Sequence, residues 1–393
     1  MKSLLISHLY FPPQVGGIAR FMESLAAALG PDRVCCLTGR PPVPGFADPI
    51  GGPRVYRSPT AFAGSLKVAR AAAWATTAGT IIIRERPRAV LLGTVYDGKY
   101  GDWMRRWLGL PYVAFAYGNE ILGILKEEGR TGELSPVGNL LRSANGMVAV
   151  SHYTAGLLRR AGVQPDRIDI VYPGCDANRF SARPPDIDLK QRLLGTRSRD
   201  RVILTTGNLV ARKGHDMVLR ALPGVCARLP DVTYIVVGDG PCRADLESLA
   251  ASLGVRDRVV FAGRVADDQL PELYALADVF IMASRDREDE CDVEGFGMVY
   301  LEAGACGKPV VGGRAGGVPE AIVDGTTGFL VDPSDPEDIA GALVRVLNDR
   351  QLAGRMGEQG RARVLRDFAW SGVADRIDGI LTAAAGRERR SGP

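Results

Sequence analysis

Two rhythms of hydrophobic positions alternate along the chain. Short continuous apolar runs, such as "SLLIS", "AVLLG", "RVILTTG", "YIVVG" and "VFIMAS", alternate with longer amphipathic stretches. Apolar residues that are continuous rather than alternating predict strands buried on both faces, and helical spacing between them predicts crossovers. In the first half the pattern predicts strands at 3–7, 33–37, 89–93, 112–116, 147–150 and 168–171, and helices at 17–29, 65–86, 136–143 and 152–161. In the second half it predicts strands at 202–206, 233–238, 258–262, 279–283, 309–312 and 328–331. The helices expected there are 214–229, 243–253, 269–276, 297–307, 336–348 and 350–366. Alternating strand and helix argues for parallel sheets with right-handed crossovers.

A break separates the halves. Residues 173–200, "PGCDANRFSARPPDIDLKQRLLGTRSRD", are rich in proline, charge and turn residues. The expectation is an α/β protein of two doubly wound, Rossmann-like domains, 1–172 and 201–369, joined by that linker. A length of 393 residues with 46% apolar content supports two cores of similar size. Ligands of such sheets bind at the carboxyl ends of the strands, which places the expected site in a cleft where the two domains face each other.

Composition removes several classes. No apolar run approaches the ~20 residues that span a bilayer. "MKSLLISHLYFPP" enters a strand at once, without a signal-peptide core, so a cytoplasmic location is the default expectation. The net charge of +4 is mild and the basic residues are interspersed with acids, so no nucleic-acid partner is expected. Seven cysteines without a C-x-x-C and three scattered histidines suggest neither a disulfide framework nor a metal site.

Four segments carry candidate chemistry. In "EGFGMVYLEAGACG", Gly295 and Gly297 permit close backbone approach, and the unsatisfied amides of the following helix start suit a phosphate. Glu294 precedes that start and Glu302 lies more than a turn inside it, at most about 12 Å away at helical rise. One carboxylate would accept from sugar hydroxyls and the other from ribose hydroxyls. The opposing reading makes Glu294 a helix-dipole complement and Glu302 a solvated surface acid; the residues alone leave both open. In "VILTTGNLVARKGHDMVL" a loop brings Arg212 and Lys213 to a helix start, where cations would neutralise a leaving diphosphate; a solvated basic loop is the alternative. Gly16 and Gly17 form another close-approach turn before a helix in the first half. Arg264 and Val265 end a strand at a position that suits a nucleobase, or a plain strand-to-helix connection. The acidic run "DREDECD" reads as a surface or lid loop rather than a metal site.

Taken together, these segments resemble the retaining glycosyltransferases of family 4, with the GT-B fold. The resemblance rests on the Glu294 and Glu302 spacing in "EGFGMVYLEA" and on "FPPQVGGIARF", "LVARKG", "VGDGP", "CGKPVVGG" and "GGVPEAI", which occur in the family's order. "LVARKG" and "DVEGFGMVYLEA" are most similar to PimB-like phosphatidylinositol mannoside mannosyltransferases. "DFAWSGVADRI" resembles the segment before a last helix, 370–386, that packs back on the N-terminal, acceptor-side domain. The resemblance implies a GDP- or UDP-linked sugar as donor, with mannose favoured, and a lipid-linked or glycan acceptor in envelope or polysaccharide synthesis. It implies that Glu294 contacts the donor sugar, Glu302 the ribose, Lys213 the diphosphate, and Arg264 and Val265 the base. Backbone of Gly295, Phe296, Gly297, Met298 and Val299, with Gly16 and Gly17, would approach the phosphates. With "DREDECD" read as a surface or lid loop, no essential metal and no other cofactor are expected.

Two positions depart from the family. An arginine expected five residues before the lysine is Asn208, and Arg212 is the candidate replacement. A histidine expected within "AFAYGNEI" is absent, leaving Asn119 to hydrogen-bond a sugar hydroxyl. These departures keep a nucleotide-sugar-binding protein without turnover in play. A glycoside hydrolase using Glu294 and Glu302, and an epimerase, are further alternatives. Helix 65–86, with Lys67, Arg70, Trp74 and Arg84, could rest on anionic lipid at the inner face of a membrane; a solvated helix face is the competing reading.

Overall fold

The computed structural model describes residues 1–14, 16–39, 48, 51–58 and 67–391. They form two compact units, Met1–Gly174 with Trp370–Pro393, and Cys175–Ala369.

The first unit is built on a seven-stranded sheet in the order β3-β2-β1-β4-β5-β6-β7. The strands are β1 Ser3–Ser7, β2 Val34–Thr38, β3 Val55–Arg57, β4 Val90–Leu92, β5 Tyr112–Ala116, β6 Gly146–Ala149 and β7 Ile168–Ile170. Every pairing is parallel. β1, β2, β4, β5 and β6 are buried along their whole length, as continuous apolar runs require, while the edge strands β3 and β7 are half-buried. The first helix, Gly17–Arg33, breaks at Gly30 (φ 74), one residue beyond the expected end at 29. The last helix, Trp370–Ser391, belongs to this unit: Trp370 meets the edge of Phe21 at 5.3 Å and Asp375 accepts from Arg33 at 2.6 Å.

The second unit is built on β8 Arg201–Thr206, β9 Val232–Val237, β10 Val259–Gly263, β11 Val279–Met282, β12 Val310–Gly313 and β13 Gly328–Val331. Their order is β10-β9-β8-β11-β12-β13, again all parallel. Its core joins Ile203, Tyr234, Ile281 and Val311 of the sheet to Val218, Leu222 and Leu343 of the flanking helices.

The order of strands reverses once in each sheet, between β1 and β4 and between β8 and β11. Outgoing loops diverge at such a switch point and leave a crevice at the carboxyl ends of the strands.

Several elements differ from expectation. The segment expected as a linker carries the helix Ile187–Leu194, capped by Asp186, whose side chain accepts from Leu189 N at 2.9 Å; from Cys175 onward it belongs to the second unit. The strand Val55–Arg57 and the helices Gly98–Leu108 and Asn119–Thr131 were not anticipated. Helix 65–86 runs over Lys67–Glu85, and 65–66 lie outside the described residues. Its Trp74 is 3% exposed, stacked near Tyr100 and edge-on to Trp103, so it does not face a lipid surface. Among the described residues no helix is long and apolar enough to cross a membrane.

Candidate functional site

The β8/β11 switch point gathers most of the charge that the sequence singled out. β8 ends at Thr206, and the loop after it makes a single helical turn, Ala211–Lys213, before the helix His215–Arg228. Gly214 joins the two with φ 69; a Cβ there would stand 1.9 Å from the carbonyl oxygen of Ala283, so only glycine lets the cation loop press against the end of β11. The neighbouring loop is held in turn by Arg285 N, which donates to Arg212 O at 2.9 Å.

Arg212 and Lys213 converge on one carboxylate oxygen. Arg212 Nη1 lies 2.7 Å and Lys213 Nζ 2.6 Å from Glu294 Oε2. Arg212 Nε donates to Asp292 Oδ1 at 2.7 Å. Glu294 is buried, and burial pushes its carboxyl upward, but Lys213 and then Arg212 more than offset this and hold it below the ordinary carboxylate value. Burial lowers Lys213, opposed by Glu294. Arg212 rises, because Glu294 and Asp292 outweigh the burial that would lower it.

The glycine-rich segment after Glu294 adds amides. Gly295 is half-buried and Phe296 is buried against Phe368, with ring centroids 5.9 Å apart, so Phe296 offers its backbone rather than its ring. Gly297 caps the helix Met298–Ala305 with φ 91, and a Cβ there would overlap the Tyr300 ring at 2.5 Å. The start of that helix, with Met298 and Val299 half-buried, leaves amides without intrahelical partners. Gly317 N donates to Glu294 O at 2.9 Å, and a Cβ on Gly316 would stand 2.3 Å from the same oxygen. The second pair of glycines thus clamps the backbone that carries Glu294.

Glu302 is buried rather than solvated. Tyr274 Oη donates to its Oε2 at 2.7 Å and lies 2.8 Å from Thr206 Oγ1, which ties the carboxylate to the end of β8. His215 is 2% exposed, with burial driving its pKa down to about 4; it packs beneath the cation loop, with Nε2 3.4 Å from Asn208 O.

The remaining sequence candidates are dispersed. Asn208 lies on the same loop with an exposed side chain. Arg264 is exposed and Val265 half-buried just beyond β10, at the edge of the sheet and two strands from the switch point. Gly16, with φ 154, and Gly17 start the first helix of the other unit, and Asn119 starts the helix after β5 there, exposed. Sequence reasoning passed over Asp292, Tyr274 and Thr206. Asp292 lay inside "DREDECD", read as a surface loop; the structure exposes Glu288–Glu290 but turns Asp292 onto Arg212. Among the described residues no group of His, Cys, Asp or Glu side chains is arranged to hold a metal ion.

Residues 186–363 match the family Glycosyl transferases group 1, and residues 15–179 match Glycosyltransferase Family 4. The GDP-mannose-dependent alpha-(1-6)-phosphatidylinositol monomannoside mannosyltransferase of Mycolicibacterium smegmatis is 38% identical over 287 residues, 72% of each chain. The GDP-mannose-dependent monoacylated alpha-(1-6)-phosphatidylinositol monomannoside mannosyltransferase of Corynebacterium glutamicum is 29% identical over 97% of each chain. In fold, the chain is similar to Anabaena HepE in complex with UDP and glucose, with TM-score 0.77 and 23% identity over 98% of this chain and 100% of that one. Sucrose-phosphate synthase from Thermosynechococcus elongatus gives TM-score 0.78 at 21% identity, with the same coverage. With two matched family regions, a relative this similar over most of its length and the two parallel Rossmann-like sheets, the chain belongs to the group 1, family 4 glycosyltransferases.

Proposed function

We propose that the protein transfers mannose from GDP-mannose to a hydroxyl of a phosphatidylinositol mannoside-type acceptor, with retention at the anomeric carbon. The observation that carries this reading is the convergence of Arg212 and Lys213 on Glu294 beside a row of helix-start amides. Such an array suits a diphosphate flanked by hydroxyl-bearing groups. The choice of mannose and of a lipid-linked acceptor draws on the names of the mycobacterial and corynebacterial relatives.

In this reading Lys213 and Arg212 meet the diphosphate, Glu294 accepts from hydroxyls of the transferred sugar, and Glu302, steadied by Tyr274, accepts from the ribose. Amides of Gly295 to Val299 and of Gly16 and Gly17 approach the phosphates. Arg264 and Val265 border the base, and Asn119 hydrogen-bonds a sugar hydroxyl. The bond from C1 of the sugar to the β-phosphate oxygen breaks first, which places positive charge on the ring and negative charge on the leaving GDP. Both cations and the amides stabilise that anion. The acceptor oxygen then bonds to C1 from the face the phosphate has left, and its proton passes to the leaving phosphate oxygen. The charge is met by the chain's own groups, so activity is expected to persist in EDTA.

Arg212 supplies the second cation that Asn208 lacks, which weakens the binding-only reading. The low pKa of Glu294 suits it poorly to protonate a glycosidic oxygen, which disfavours the hydrolase reading. A cytoplasmic location at the inner face of a membrane is part of the proposal, since it places the chain beside lipid-linked acceptors. The test is incubation of the purified chain with GDP-mannose and phosphatidylinositol monomannoside in detergent micelles. A new α-linked mannoside identified by NMR is expected; release of free mannose alone would contradict transfer.

A further inference from the structure

The segment between β11 and Glu294 grips Arg212 twice. Arg285 N donates to the Arg212 carbonyl oxygen at 2.9 Å, and farther along Asp292 Oδ1 accepts from Arg212 Nε at 2.7 Å. The roles above give Asp292 no task.

The segment is braced by bonds that do not involve Arg212. Arg285 Nη1 donates to Asp216 Oδ2 at 3.0 Å. Asp286 Oδ2 accepts from Gly316 N at 2.9 Å, next to the Gly317 amide that holds Glu294 O. Arg287 and Asp292 then exchange both backbone hydrogen bonds at 3.1 Å, which closes a hairpin around the helical turn Glu288–Glu290. Cys291 completes that turn with φ 55, a left-handed conformation that is costly for a residue with a Cβ. Asp292 is therefore fixed through its own backbone. The ion pair is an anchor for the arginine rather than the fastening of the hairpin.

Arg212 has reason to need an anchor. A free arginine side chain has many rotamers, and charge stabilises a transition state best when it is in place beforehand. Asn208 brings no charge to the loop, so its cations are Arg212 and Lys213. The guanidinium carries five N–H groups in one plane. Asp292 takes Nε and Glu294 takes a hydrogen of Nη1, which fixes that plane, and neither bond uses Nη2. The Arg212 side chain is 17% exposed, so water competes little for these bonds.

We propose that Asp292 is a positioning residue for the transfer. The hairpin 285–292 holds the Arg212 guanidinium in one plane, with its terminal nitrogens ready for the leaving diphosphate. Asp292 itself touches neither substrate nor reacting atoms. The assignment rests on the transferase reading above and names the residue through which Arg212 makes good the charge missing at Asn208.

The test is a double-mutant cycle of wild type, Asp292→Ala, Arg212→Ala and the double variant, assayed with GDP-mannose and phosphatidylinositol monomannoside. Asp292→Ala alone is expected to lower kcat about tenfold and to leave the acceptor KM within about twofold. In the Arg212→Ala background the same change should alter kcat by less than about twofold, because nothing is left to position. Asp292→Asn, whose side-chain oxygen can still accept from Nε, should recover most of the loss. A tenfold loss that persists without Arg212 would make Asp292 part of the loop's architecture only and overturn the proposal, as would a wild-type kcat in Asp292→Ala. A higher kcat with a lower GDP-mannose KM in Asp292→Ala would also overturn it, by showing the carboxylate competing with the diphosphate for Arg212. If the wild-type chain forms no mannoside from GDP-mannose, the transferase reading fails and this inference fails with it.

Discussion

The two sheets reverse their strand order in the same way, yet their switch points are furnished with opposite chemistry. At β8/β11 two cations and a carboxylate meet beside a helix start, and Gly214 and Gly316 bring backbone within contact distance. At β1/β4 a buried imidazole–carboxylate pair, His8 with Asp97, stacks on the ring of Tyr100. Topology alone fixes where a ligand goes; the side chains fix which ligand. A polyanion needs fixed positive charge and oriented dipoles.

The comparison breaks most visibly at Lys213. Lys213→Ala removes a cation that both holds Glu294 and would meet the leaving diphosphate. A fall in kcat of about 10³ is expected, with the acceptor KM little changed. A mutant of near wild-type kcat would remove the charge-stabilising role. Acid should act on the second unit through His215. Its folded-state pKa of about 4 lies below the ordinary 6.5, so its contribution to stability is complete above pH 6.5 and disappears as pH falls through about 4, a loss of about 3 kcal/mol. Urea unfolding at stepped pH measures this, and His215→Gln should flatten the slope.

Arg212 sharpens the contrast further. Arg212→Ala is expected to lower kcat by about 10², and adding Asn208→Arg in that background should restore part of it. No recovery, with Glu294→Gln equally inactive, would make Arg212 only a prop for Glu294. The smallest effect is expected at Glu302. Glu302→Gln should weaken binding of GDP alone by about tenfold, because a charged acceptor becomes neutral. An unchanged affinity would remove Glu302 from the ribose.

Much of this was legible in the chain. The fully buried strands announce themselves as apolar runs, and among the described residues all but one of the thirteen strands fall within a residue or two of their expected positions. β3, three half-buried residues at a sheet edge, carries too little pattern to read. The helix Gly98–Leu108 was hidden because "GKYGDWMRRWL" mixes two glycines with aromatic residues whose burial only the tertiary packing decides. The spacing of Glu294 and Glu302 pointed to both acids, but their partners were silent. Asp292 looked like one more acid in an exposed run, and Tyr274 lies on the helix Leu270–Leu276, far away in sequence. The pairing of His8 with Asp97 spans 89 residues and follows no spacing rule; only the adjacency of β1 and β4 brings them together.

The central claim is that Arg212, Lys213 and the amides after Glu294 hold a sugar-linked nucleoside diphosphate. Calorimetric titration of the purified chain with GDP-mannose tests it most directly. One site per chain is predicted, with affinity reduced about tenfold or more in Lys213→Ala. Absence of heat with GDP-mannose, GDP and UDP-glucose alike would contradict it.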